Sequence, residues 1–218
     1  MTRLFISFIL LCGAFGASAG AAAGTNAATP QRLLAELEQA LGGTTSVQTD
    51  FVQEKQLALL QQKVFIKGHL VVEQPARFAW HVSSPIRYSM VIDGTTLRQW
   101  DETTDKIQKL SLAANPVFEV VTRQLRAWFG GQLESLTKDF ETAPDPVLPR
   151  TVIFTPRAAS MARKAIRQVR LTFREDRRYL QEIFIEEQGG DTTRMTFSET
   201  RLNVAIPPDA WEVKPHAR

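Results

Sequence analysis

Residues 67–82 read KGHLVVEQPARFAWHV, and the rest of the chain is best understood outward from them. On both sides of Gln74-Pro75 the side chains alternate with a period of two, which is the signature of a strand with two unlike faces. Gly68, Leu70 and Val72 share one face, and Lys67 and His69 share the other. After the turn, Phe78, Trp80 and Val82 lie opposite Arg77, Ala79 and His81. Two strands joined by a proline turn, each dry on one side, form an antiparallel pair whose aromatic side needs a partner. The chain must therefore supply something for Phe78 and Trp80 to face.

The same period continues on either side. KVFIKGHLVV (63–72) adds Val64 and Ile66 to the dry face, and IRYSMVI (86–92) places Tyr88, Met90 and Ile92 together. Asp93-Gly94 is a hairpin signal. In TTLRQWD (95–101), Leu97 and Trp100 fall on opposite faces, so pattern alone does not orient that strand. A second series follows in RTVIFTP (150–156), IRQVRLTFRED (166–176), RYLQEIFIEE (178–187) and TTRMTFSET (192–200). Short consecutive strands with tight turns predict an antiparallel meander with one dry and one wet face.

Two stretches follow the helical period instead. Residues 29–43, TPQRLLAELEQALGG, start with Thr29 and Pro30 and stop at a glycine pair; Leu33, Leu34, Leu37, Ala40 and Leu41 form a single stripe. Residues 115–136, between the two strand series, carry Val117, Val120, Val121, Leu125, Trp128 and Phe129 ahead of Gly130-Gly131. So heavy a stripe reads either as core packed on the sheet or as a lid over a cavity. APDPVLPR (143–150) is a stiff connector within one domain.

At the start, Arg3 precedes an apolar run from Leu4 to Phe15 and then small residues, the layout of a cleaved secretory signal over residues 1–24, with one domain over 25–218. The run is short of the ~20 residues a membrane-spanning helix needs. Cys12 is the only cysteine, and bulky Leu11 before it argues against lipidation. The formal net charge of +3 is too small to argue for nucleic acid. The charge is uneven, however: Arg150, Arg157, Arg163, Lys164, Arg167, Arg170, Arg174, Arg177 and Arg178 read as a solvated face or as a docking patch for an acidic partner or anionic lipid. Catalytic patterns are lacking. His69, His81 and His216 have no ligand-like spacing, there is no nucleophile elbow or phosphate-cradling loop, and Glu186 and Glu187 point to opposite faces. Binding is better supported than catalysis.

VQTDFVQEK (47–55), with Phe51 and Gln53, then the 67–82 stretch with Phe78 and Trp80, then MVIDGTTLRQW (90–100), with Asp93, Gly94 and Leu97, resemble in order and spacing the LolA family of periplasmic lipoprotein carriers. The resemblance implies an α+β fold: a curled, unclosed antiparallel half-barrel whose apolar concave face is covered by helices. It implies a cargo cavity lined by Phe51, Phe78, Trp80, Met90, Ile92 and Leu97, and a lid formed by Val117, Phe118, Val121, Leu125, Trp128 and Phe129. It also implies a monomer without cofactor or enzymatic activity. Such a protein receives acylated lipoprotein or other lipid from an inner-membrane ABC transporter and passes it to an outer-membrane receptor. A paralogue carrying another lipid or a polyene, or a sensor module that transports nothing, would resemble the same family. Two positions depart from it. Members carry an arginine before the proline to latch the lid, and here Gln74 stands there, with Arg77 as the substitute candidate. An aromatic residue often follows the hairpin leucine, and here that residue is Arg98.

Overall fold

A computed structural model describes residues 30–60, 62–112, 124–125 and 127–214. The leader at 1–24, the Thr29 cap and the lid residues Val117, Phe118 and Val121 lie outside the described residues. Helix α1 (Pro30–Leu41) precedes strands β1 (Ser46–Leu57), β2 (Gln62–Glu73), β3 (Arg77–Ser84), β4 (Tyr88–Asp93), β5 (Thr96–Asp101) and β6 (Lys106–Ser111). A helical stretch over 124–125 and 127–130 and a 3-10 turn (Leu133–Lys138) follow. Strands β7 (Phe140–Pro144), β8 (Thr151–Pro156), β9 (Ile166–Phe173), β10 (Leu180–Glu187) and β11 (Thr192–Leu202) complete the order.

All eleven strands form one sheet in the order β6-β5-β4-β3-β2-β1-β11-β10-β9-β8-β7, antiparallel throughout. Among the described residues, strands β6 and β7 are its free edges, so the sheet is an unclosed half-barrel. Both edges escape a period-two reading for a physical reason. In β6, KIQKLS, every residue but Leu110 is exposed and the apolar pair is three apart; β7, FETAP, ends in proline. Lysines and proline are what natural edges use to discourage further pairing.

The connection between the two halves is made in the middle, where β1 pairs with β2 on one side and β11 on the other. Asn203 at the end of β11 ties this junction to α1: its Oδ1 accepts from the backbone N–H of Thr45 (2.8 Å), and its Nδ2 donates to the Gly43 carbonyl (2.9 Å). Helix α1 buries Leu33, Leu34, Leu37 and Leu41 on the concave face, as its stripe requires. Arg177 in the β9–β10 turn donates to Glu36, and with Arg32 it holds the Glu36 carboxyl below the usual carboxylate range.

Candidate functional site

The concave face is one continuous apolar cluster. Phe51, Phe78, Trp80, Met90, Ile92 and Leu97 all belong to it, and each is buried. Leu97 therefore points inward and Trp100 outward, which orients β5. The Phe51 and Trp80 rings lie 4.3 Å apart at 37°, and Trp80 is followed by Phe78 at 6.3 Å. They approach this closely because Gly68 lies beneath them. A Cβ there would sit 2.0 Å from the His81 carbonyl oxygen and 2.7 Å from Phe51 Cζ. Gly68 is thus a position of close approach rather than of unusual backbone.

What faces these rings is α1 together with the helical stretch before Gly130. Leu125, Trp128 and Phe129 are buried in the same cluster, and Phe129 meets Phe197 of β11 edge to face at 5.4 Å. Next to Leu125 a cavity of about 10 Å³ remains, lined by Val72, Gln74 and Phe78 among others. That is room for roughly one water molecule.

The two latch candidates separate. Gln74 lies at the end of the helical stretch: a Cβ on Gly130 would sit 2.2 Å from its Nε2, so the glycine makes room for the amide. Among the described residues, that buried Nε2 has no hydrogen-bond partner. Gln74 therefore touches the helix end, but its amide nitrogen makes no bond to hold it. Arg77 is on the outer face of β3. Its guanidinium donates to Glu73 (2.9 Å), lies 3.4 Å from Asp93, and covers the Trp211 ring at 3.9 Å. Its neighbours are those of the outer face, and a latch on the concave side is not what this geometry provides.

Sequence reasoning missed two features. One is a buried ion pair near the end of β1. Lys55 Nζ is 2.9 Å from Glu187 and 4.0 Å from Asp191, with the lysine side chain 8% exposed. The alternation that put Glu186 and Glu187 on opposite faces already held half of this signal. The other is the strap of residues 203–214 across the outer face. Trp211 and Val213 form a second, smaller apolar cluster with Val71, Ala79, Val91 and Trp100. Arg98 donates to the Trp211 carbonyl (3.0 Å) and Lys214 pairs with Asp105 (2.8 Å). Beside the strap runs a groove of about 830 Å³, lined by Asp50, His69, His81, Ser89 and Arg201 among others.

In that groove His81 Nε2 donates to the Ala210 carbonyl (2.8 Å), which leaves Nδ1 to accept from the Ser89 hydroxyl (2.9 Å). Burial first, and His69 nearby, push the imidazole below its ordinary 6.5, against the opposing influence of the Ala210 carbonyl and Asp209. His69 bonds Asp50 at 2.7 Å. On the concave face Tyr88 is pushed up to about 12, by burial and then by Asp101. Among the described residues no group of three His, Cys, Asp or Glu side chains is placed to hold a metal ion, and no helix is long and apolar enough to cross a membrane.

The family model described as "Outer membrane lipoprotein carrier protein LolA" matches residues 42–214. An outer-membrane lipoprotein carrier protein of Chromobacterium violaceum is 25% identical over 202 residues, 91% of each chain. An uncharacterized conserved protein from Thermus thermophilus shares the fold, with a TM-score of 0.53 at 10% identity over 85% of this chain and 93% of its own. A LolA superfamily protein from Nitrosomonas europaea gives a TM-score of 0.44 at 11% identity, over 85% of this chain and 98% of its own. The family is one of lipid and lipoprotein carriers or binders rather than of enzymes. With a half-barrel, an apolar concave face under helices, and a family match over most of its length, the chain belongs to the LolA family of outer membrane lipoprotein carrier proteins.

Proposed function

We propose that the protein is a periplasmic shuttle: its leader (1–24) is removed, and residues 25–218 act as one monomeric unit that holds the acyl chains of a lipoprotein against the concave face. It takes this cargo from an inner-membrane ABC transporter and gives it to an outer-membrane receptor. The observation that carries the reading is the burial of the protein's own Leu125, Trp128 and Phe129 in the apolar cluster of the concave face. A covered apolar face that size would expose a large sticky patch if left open.

Magnitudes favour exchange of lid for cargo. Burying the three described lid side chains is worth roughly 5–9 kcal/mol in all, at ~1.5–3 kcal/mol each. An acyl chain of about fifteen methylenes offers roughly 12 kcal/mol. That is the cost of carrying the chain bare through water, which the concave face offsets, and cargo shifts the protein to the open state by its preference for that state. Gln74 serves as a seat for the helix end rather than a latch, which favours easy opening.

The test joins positions 129 and 197, through cysteines replacing the two phenylalanines and a reducible thiol cross-linker, in a protein lacking Cys12. Cross-linked protein should fail to release acylated lipoprotein from inner-membrane vesicles, and reduction should restore release. Equal release in both states would overturn the shuttle mechanism.

A further inference from the structure

Because the strands alternate in direction, the turns after β1, β3, β5, β8 and β10 gather at one end of the half-barrel, and α1 engages the other end through Glu36 and Arg177. The first end carries side chains that the fold leaves without a use. Leu59 and Leu60 at the β1–β2 tip are 97% and 62% exposed, and Met161 after β8 is 40% exposed. Arg163 and Lys164 beside Met161 are exposed as well.

Hydrogen bonds fix these pieces in a row. The backbone N–H of Ala58 donates to Asp191 (2.9 Å), which places the β1–β2 tip against the β10–β11 turn. From that turn Gln188 donates its backbone N–H to the Ala165 carbonyl (2.8 Å) and its Nε2 to the Arg163 carbonyl (3.0 Å), reaching the segment with Met161. The carboxylates nearby are already engaged: Glu187 and Asp191 by Lys55, Glu186 by Arg167, and Glu54 by Lys63. Arg163 and Lys164 enter no ion pair among the described residues, so the charge that the rim presents is positive.

We propose that this rim docks on an anionic lipid surface, with Leu59 and Leu60 entering the headgroup layer and Arg163 and Lys164 resting on its negative charge. Projecting leucines on a hairpin tip fit a yielding surface, whereas an acidic protein partner would need a pocket shaped to the tip; basic side chains beside them add the attraction that anchors a small apolar insertion. Docking by this end leaves α1 and Gly130, next to Gln74 at the opposite end, free to move. The proposal does not depend on cargo, and it is measured on cargo-free protein, so its outcome is separate from that of the shuttle.

The experiment is co-sedimentation of the purified protein with vesicles of phosphatidylcholine alone or mixed with phosphatidylglycerol. Binding is expected to the mixed vesicles, and to weaken with salt. Joint Arg163→Glu and Lys164→Glu substitution should lower the affinity by at least about tenfold, since each basic group near such a surface contributes about fivefold. Joint Leu59→Asp and Leu60→Asp substitution should abolish binding, while Val147→Ser with Leu148→Ser, exposed apolar residues in the β7–β8 turn at the other end, should leave it unchanged. As an independent reading, a Leu60→Trp variant should have its fluorescence quenched by brominated lipid. The idea is overturned if vesicles do not bind, if neutral vesicles bind equally, or if neither pair of substitutions matters. Binding confined to vesicles holding reconstituted membrane protein would overturn it in favour of a protein receptor.

Discussion

The two faces of β2 to β5 are covered in different ways. On the outer face the strap is held by directed contacts: Arg98 and His81 each donate to one of its carbonyls, Lys214 pairs with Asp105, and Arg77 lies over Trp211. On the concave face Leu125 and Phe129 meet the sheet through apolar surfaces, and the Gln74 amide nitrogen at the helix end has no partner among the described residues. Directed polar contacts fix one geometry, whereas apolar contact is non-directional and can be exchanged for another apolar surface. The strap is therefore part of the frame, and under the proposed function the helical stretch on the concave face is the cover that cargo would replace.

The two covers should come apart most visibly at Trp211. Truncation to alanine should cost about 3 kcal/mol or more, because it empties the small outer cluster and removes the Arg77 stacking. Denaturant titration measures the loss, and uptake of a hydrophobic fluorescent probe under native conditions should not change. An increase in uptake as large as that from Trp128→Ala would show that the two covers are not distinct.

Gly68→Ala should cost about 2–3 kcal/mol, since the added methyl meets a backbone carbonyl that cannot yield. Phe51 and Trp80 should then be displaced, which near-ultraviolet circular dichroism would report. Wild-type spectra and stability in this variant would mean that the aromatic pair is not seated as described.

A smaller effect of opposite sign is expected at Gln74. Gln74→Met removes a buried amide nitrogen that has no partner among the described residues, at similar volume, and should stabilise the protein by about 1 kcal/mol, while slowing probe uptake. Faster uptake would make Gln74 a restraint on the lid rather than a loose seat.

The smallest effect concerns pH and the strap alone. His81 has its folded-state pKa held below the ordinary 6.5, so the unfolded chain binds the proton more readily. Its contribution to stability is full above about 6.5 and is lost as pH falls through the interval below it. Denaturation midpoints of wild type should drop on acidification across this window, more than those of His81→Gln. Parallel curves would remove His81 from the account.

Much of the frame was legible in the residues. Period-two alternation paired Phe78 with Trp80 and Met90 with Ile92, each pair on one side of its strand, and the glycine-bounded stripe of α1 named the leucines that are buried. The edge strands were not, because in Lys106–Ser111 only Leu110 is drawn toward the core and the rest is exposed, which leaves no alternation to read. Alternation did set Arg77 opposite Phe78 and Trp80, but not what it meets there, because Trp211 lies far along the chain.

Which side chains cannot remain in water followed from the residues in order, since hydrophobicity and period are local properties of the chain. What covers each face came only with the folded molecule: the pairing of Gln74 with Gly130, the strap over Trp100, the ion pair of Lys55 with Glu187, and the row of Leu59 with Arg163. Those partners lie far apart along the chain. No local pattern encodes such meetings, because they arise only when an eleven-stranded sheet curls and brings its turns and ends together.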